Sequence, residues 1–206
     1  MSSDKIFNSI ITQLEILKSK NELCLLSKIQ KHIENFDYES LNEVSCIVKD
    51  ISSYIHNDSM NVIKGRRSPF PERISENIAK LCLCKIGELV IKGKTGDLNL
   101  IENKNYKFEV KCFSSTGPIS FGPTCSWNEL IFIDLIDYKN YMVKVYRTKL
   151  TNNCRIWNDI KTSKTQSFED QKNMKRRPRI NFISLYPQIK DYTTLLYEGK
   201  IQNINN

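Results

Sequence analysis

The sequence predicts a mixed α/β protein: a central mixed sheet flanked by helices, preceded by a helical N-terminal subdomain. Three observations predict this class. Helical spacing of apolar residues runs through residues 3–56 and returns near residue 72, and from Gly87 onward the pattern changes to short strand-like runs. The stretch Leu-Ile-Phe-Ile-Asp-Leu-Ile at 130–136 is almost continuously apolar, as a strand covered on both faces requires. The expected division is a helical subdomain at residues 1–60 and a core at 61–206 that includes a basic segment at 161–179.

Taken in order, Ile6, Ile10, Ile11, Leu14 and Leu17 fall at helical spacings, and Leu23, Leu26 and Ile29 follow at steps of three. Ser3 and Asp4 suit a first N-cap, and Ser40 lies near the start of a third helix carrying Val44, Ile47, Val48, Ile51 and Ile55. These helices carry no convincing chemistry and read as scaffold. Gly65-Arg66-Arg67 then forms a polar loop with phosphate-binding potential. Pro69 to Glu72 opens another helix, because proline is tolerated in a first turn and Glu72 complements the dipole there. Its apolar face is Ile74, Ile78 and Leu81. Glu76 lies one turn after Glu72, so the two share a side that either points toward a cation site or is simply solvated.

The expected strands are 88–91, 97–101, 106–113, 129–136 and 141–146, with a turn at 137–140. Residues 151–160 read as a helix on the spacing of Ile156 and Ile160. Residues 180–185 are short and apolar, and the last twenty residues say little.

Composition narrows the class. Hydrophobic content of 40% with only 7 Gly and 6 Pro describes a globular chain. No run reaches the ~18 apolar residues of a membrane span, and Met-Ser-Ser-Asp does not begin a secretory signal, so the protein is expected to be soluble and intracellular. The seven cysteines contain no Cys-x-x-Cys pair, which argues against a disulfide framework or zinc ribbon, and most read as small core residues. A net charge of +8 points to a polyanionic partner, and its excess is local: residues 161–179 hold seven Lys or Arg against Glu169 and Asp170.

The candidate site lies between Gly96 and Lys111. Glu109 and Lys111 project from one face of a strand while Phe108 and Val110 point the other way, into a core. A three-residue loop at 103–105 would set Asp97 opposite Lys111 and on the face of Glu109, whereas a four-residue loop would put it on the wrong face. The site therefore requires an even register, or a bulge. Given that, Asp97, Glu109 and the carbonyl of Val110 offer the oxygen ligands that Mg²⁺ prefers. Lys111 would sit beside the ion, able to orient or deprotonate an attacking water. The plainer alternative is a surface strand with a Glu and a Lys on its exposed face.

Asp97, Glu109 and Lys111 at this spacing, after a helix bearing Glu76, resemble the PD-(D/E)XK nuclease superfamily position by position, with Gly96 where its proline usually stands. The segment Cys112 to Pro123, with Trp127 shortly after it, looks like the stretch beyond the lysine in some type II restriction endonucleases, and Arg176-Arg177-Pro178-Arg179 is similar to that group as well. The resemblance covers about residues 61–185. It implies a restriction-endonuclease-like core and Mg²⁺-dependent cleavage of double-stranded DNA to 5′-phosphate and 3′-hydroxyl ends, by a homodimer. Ser114, Ser115 and Ser120, in a shaped loop beyond the catalytic strand, would meet a DNA backbone, as would Arg66 and Arg67. Lys175, Arg176, Arg177 and Arg179 would bind phosphates or reach guanine edges, or else form a solvated basic loop.

Competing signals fail. Lys92-Gly-Lys-Thr95 lacks the upstream glycine at phosphate-loop spacing, and His32 and His56 have no partners at zinc-ligand spacing. The alternatives that remain are a structure-selective repair or recombination nuclease on the same scaffold and a DNA-binding module without catalysis.

Overall fold

Apolar side chains on the strands after residue 89 build a six-stranded sheet with a hydrophobic cluster on each face. A computed structural model describes residues 44–57, 70–93, 97–122 and 125–204; the expectations for the first two helices, for Arg66 and Arg67, for Gly96 and for the 60/61 boundary lie outside these residues. The six-stranded sheet has the order β1-β2-β3-β5-β6-β8. Its strands are β1 (Val90–Lys92), β2 (Leu98–Leu100), β3 (Lys107–Phe113), β5 (Glu129–Asp134), β6 (Met142–Thr148) and β8 (Thr193–Lys200). β3 and β5 are parallel and every other neighbour is antiparallel, so the sheet is mixed, as expected.

One face is covered by helix α1 (residues 44–57) and helix α2 (Glu72–Lys85). Ile47 and Ile51 of α1 and Ile74 and Ile78 of α2 pack there with Phe108, Val110, Ile131, Ile133, Val143 and Val145. The apolar face of α1 thus shares the core of the sheet. At one end of this face Arg147 forms ion pairs with Glu129 and, at 2.7 Å, with Glu88, while the Tyr106 hydroxyl donates to Glu129 at 2.5 Å.

The opposite face is largely aromatic. Phe113, Leu130 and Phe132 meet Phe121, Trp127, Trp157, Phe168, Phe182 and Leu185. The parallel step from β3 to β5 makes this layer possible, because its crossover carries Phe121 and Trp127 over the sheet. Within the crossover β4 (Ile119–Ser120) pairs with β7 (Arg179–Ile180) as a separate antiparallel ribbon. Helices α3 (Ile156–Asp159), α4 (Phe168–Asn173) and α5 (Phe182–Ile189) complete the layer.

One local expectation is corrected, and two stretches for which the sequence predicts no element take defined form. The helix expected at 151–160 is only α3, because Thr151 and Cys154 are spent on tight turns and the Trp157 indole donates to the Thr151 carbonyl at 3.0 Å. The apolar stretch at 180–185 splits: Ile180 ends β7, and Asn181 caps α5 by accepting from the Ser184 amide. The C-terminal residues contain β8, an edge strand with no buried side chain, which therefore shows no apolar alternation.

Candidate active site

The β2–β3 hairpin decides whether acidic groups can meet. Leu98 pairs with Phe108 and Asn99 with Lys107; carried one residue past the start of β2, this register sets Asp97 level with Glu109, two residues from the expected opposition to Lys111. The parity is even, and Asp97, Glu109 and Lys111 share a face. The shift has a local cause. Ile101 leaves the hairpin to donate its amide to Leu89 at 2.9 Å, and the turn closes further on, with the Tyr106 amide on the Asn103 carbonyl at 2.8 Å. Asn99 ties that turn back to β2 by donating to the Lys104 carbonyl at 2.5 Å.

Each carboxylate has a donor on β3. The Val110 amide donates to Asp97 Oδ2 at 2.6 Å, and Lys111 Nζ to Glu109 Oε1 at 2.5 Å. The N–H and C=O of one strand residue point to the same side, so the Val110 carbonyl also faces the edge where Asp97 stands. Glu109 is buried and Asp97 half-buried. Burial first and the neighbouring Glu109 second push the Asp97 carboxyl up to about 6, against the Val110 amide and Lys111, which pull it down. Glu76 adds a smaller upward push, so α2 carries its carboxylate within electrostatic reach of Asp97, while its own ion pair is with Lys92 at 3.0 Å. Glu72, one turn earlier, is exposed.

The crossover supplies two neighbours that the sequence did not mark. Phe121 places its ring 5.9 Å from Lys111 Nζ. Cys125, read among the small core residues, lies within electrostatic reach of the Glu109 carboxylate, and burial and that charge keep its thiol above its ordinary range. No spacing rule would have found either, since both reach the site through a loop.

The donor set is two facing carboxylates and a carbonyl, all hard oxygens, with mutual repulsion that a cation would relieve; it suits a divalent ion of the Mg²⁺ type. Among the described residues, no three His, Cys, Asp or Glu side chains form a metal cage by themselves.

The described residues among the expected DNA contacts lie after β3, on the β4–β7 ribbon and in the loop before it. Ser114 is half-buried at the end of β3, and Ser115 is exposed, accepting from the Gly117 amide. Ser120 lies opposite Arg179 in the β4–β7 ribbon. Lys175 adopts a left-handed backbone with φ 56, and Lys175, Arg176 and Arg177 are exposed. Arg66 and Arg67 are outside the described residues.

A family model described as Bsp6I restriction endonuclease matches residues 28–188. No curated protein and no solved structure matches the chain. The match spans both carboxylates, the lysine, the crossover and the basic segment. Among the described residues no helix is long and apolar enough to cross a membrane.

Proposed function

Because the chain belongs to the Bsp6I restriction endonuclease family, and is on that ground a type II restriction endonuclease, we propose that Asp97, Glu109 and Lys111 are its catalytic centre, of the PD-(D/E)XK kind. The observation that carries this is the level placement of Asp97 and Glu109, with Lys111 bonded to Glu109 on the same face. Asp97, Glu109 and the Val110 carbonyl would hold Mg²⁺. When bound, the ion neutralises charge that develops on the scissile phosphodiester.

The residues do the rest. Lys111 orients a water for attack on phosphorus, and the proton that water loses passes to solvent. The bond from phosphorus to the 3′ oxygen breaks, leaving a 5′-phosphate and a 3′-hydroxyl once that oxygen is protonated by solvent. Glu76, on α2, would add a further negative charge for the ion. Exposed Lys175, Arg176 and Arg177, with Ser114 and Ser115, carry the phosphate backbone of double-stranded DNA. Two copies of the chain, related by a two-fold axis, cut the two strands.

Incubating purified protein with plasmid in Mg²⁺, beside EDTA and a Lys111→Ala control, tests this reading. Discrete fragments whose sequenced ends share one short site are expected. Cleavage that persists in EDTA or in Lys111→Ala would refute the assigned centre.

A further inference from the structure

The β4–β7 ribbon alternates strictly. Ile119, Phe121 and Ile180 are buried in the aromatic core, Pro178 is buried beside them, and its carbonyl accepts from the Phe121 amide at 3.0 Å. Ser120 and Arg179 are left as the outward pair, directly opposite each other. The backbone of Arg179 is fixed on its other side as well, since its amide donates to the Gln171 side chain at 2.9 Å. α4, which carries Gln171, is itself closed by a reciprocal cap between Ser167 and Asp170. Among the described residues the Arg179 guanidinium has no ion-pair or hydrogen-bond partner. The ribbon stands beside the centre, because the residue after Ser120 is Phe121, whose ring lies under Lys111 Nζ.

We propose that Ser120 and Arg179 read base edges, and that the neighbouring Lys175–Arg177 loop only holds phosphate. The inference rests on the reading of the chain as a DNA-cleaving enzyme and assigns its specificity. A phosphate contact tolerates a mobile cation, whereas discrimination between bases needs a donor fork on a rigid support. Arg179 has that support, and a two-stranded ribbon fits the major groove. There the planar guanidinium donates two N–H groups to O6 and N7 of a guanine, and the Ser120 hydroxyl meets the adjoining base. Arg176 and Arg177 lie instead in the exposed turn before the ribbon, outside its ladder.

Selection of bound duplexes from a randomised DNA pool, with and without Ca²⁺, separates these roles without requiring cleavage. The wild-type chain is expected to enrich a site with a G·C pair at a fixed position. Arg179→Ala and Arg179→Lys should lose that preference by about ten- to hundredfold, the lysine variant keeping its charge but not the fork. Ser120→Ala should weaken the preference at the adjacent position. Arg176→Ala and Arg177→Ala should keep the site while binding all sequences more weakly, with the salt slope reduced by about one. Retained preference in Arg179→Lys, a changed site in Arg176→Ala, or no enriched sequence at all would overturn the proposal. Failure of the metal-site reading would look different: cleavage surviving in Lys111→Ala, with the selected sequence unchanged.

Discussion

Asp97, the residue just before β2, stands near Glu109 of β3, and each carboxylate is already engaged from β3, Asp97 by the Val110 amide and Glu109 by the Lys111 ammonium. The pair works against stability: the Glu109 carboxylate raises the cost of ionising Asp97. Folding brings two acidic groups together and partly buries both, and the Asp97 carboxyl, ordinarily near 3.8, rises to about 6.

That rise sets a pH dependence. Below about pH 4 Asp97 is protonated in both folded and unfolded chains; between 4 and 6 the folded chain keeps a proton that the unfolded chain has released. Stability of the metal-free protein therefore falls as pH rises through this window, and the loss is complete above it. Asp97→Asn removes the effect and should raise the melting temperature at pH 7.5 by about 2–4 °C, taking about 1 kcal/mol for a screened, half-buried group. It should also abolish cleavage. Calorimetry of both proteins at pH 4.5 and 7.5 checks the sign, and a wild-type protein that gains stability across the window would contradict it.

Lys111 reaches Glu109 Oε1 at 2.5 Å and would compete there with a cation. Lys111→Ala should thus bind a divalent ion at least as tightly as the wild type while cleaving about 10²- to 10⁴-fold more slowly. Titration calorimetry with Mn²⁺ or Ca²⁺, read beside plasmid cleavage, separates the two effects. Loss of ion affinity together with activity would make Lys111 a support for Glu109 alone.

The hairpin shows how far the sequence could be read. Face sharing by Asp97, Glu109 and Lys111 depends on parity, which alternation at Phe108 and Val110 against Leu98 and Leu100 already demanded. The two-residue difference in register depends on Ile101 bonding to Leu89 beside β1, a non-local choice that no turn rule contains. β5 was legible because both its faces are buried, whereas β8 was hidden because none of its side chains is. Cys125 and Phe121 were out of reach for a related reason: the crossover folds back over β3, and proximity through a loop leaves no periodic trace. The opposition of Ser120 and Arg179 likewise joins residues far apart in the chain.

Asn99 holds that register. Its side chain is buried, its amide closes the turn on the Lys104 carbonyl, and its Oδ1 is buried with no hydrogen-bond partner. Asn99→Ala removes a good bond and an unsatisfied oxygen together, so stability should change by no more than about 1 kcal/mol. Activity should suffer more, about tenfold or beyond, because a misplacement of Asp97 by about 1 Å is costly at a reacting centre. The Mg²⁺ concentration needed for half-maximal cleavage should rise as well. A melting temperature that collapses in proportion to activity would assign Asn99 to the general fold.

The buried Arg147 cluster should behave in the opposite way. It lies on the other face of the sheet from Glu109, since Glu129 is level with Phe108, whose ring is 5.9 Å from the Arg147 guanidinium. Arg147→Met strands both Glu88 and Glu129 without their cation, at a cost of about 3–5 kcal/mol. Tyr106→Phe removes one donor to Glu129 and should cost about 1–2 kcal/mol. Burial and Glu129 hold the Tyr106 hydroxyl up to about 12, so it stays a donor throughout the working range of pH. Denaturant unfolding should rank Arg147→Met well below Tyr106→Phe, and cleavage measured far below the melting temperature should remain within about threefold of wild type for Tyr106→Phe, because that hydroxyl only stabilises the sheet and nothing in the reaction touches it.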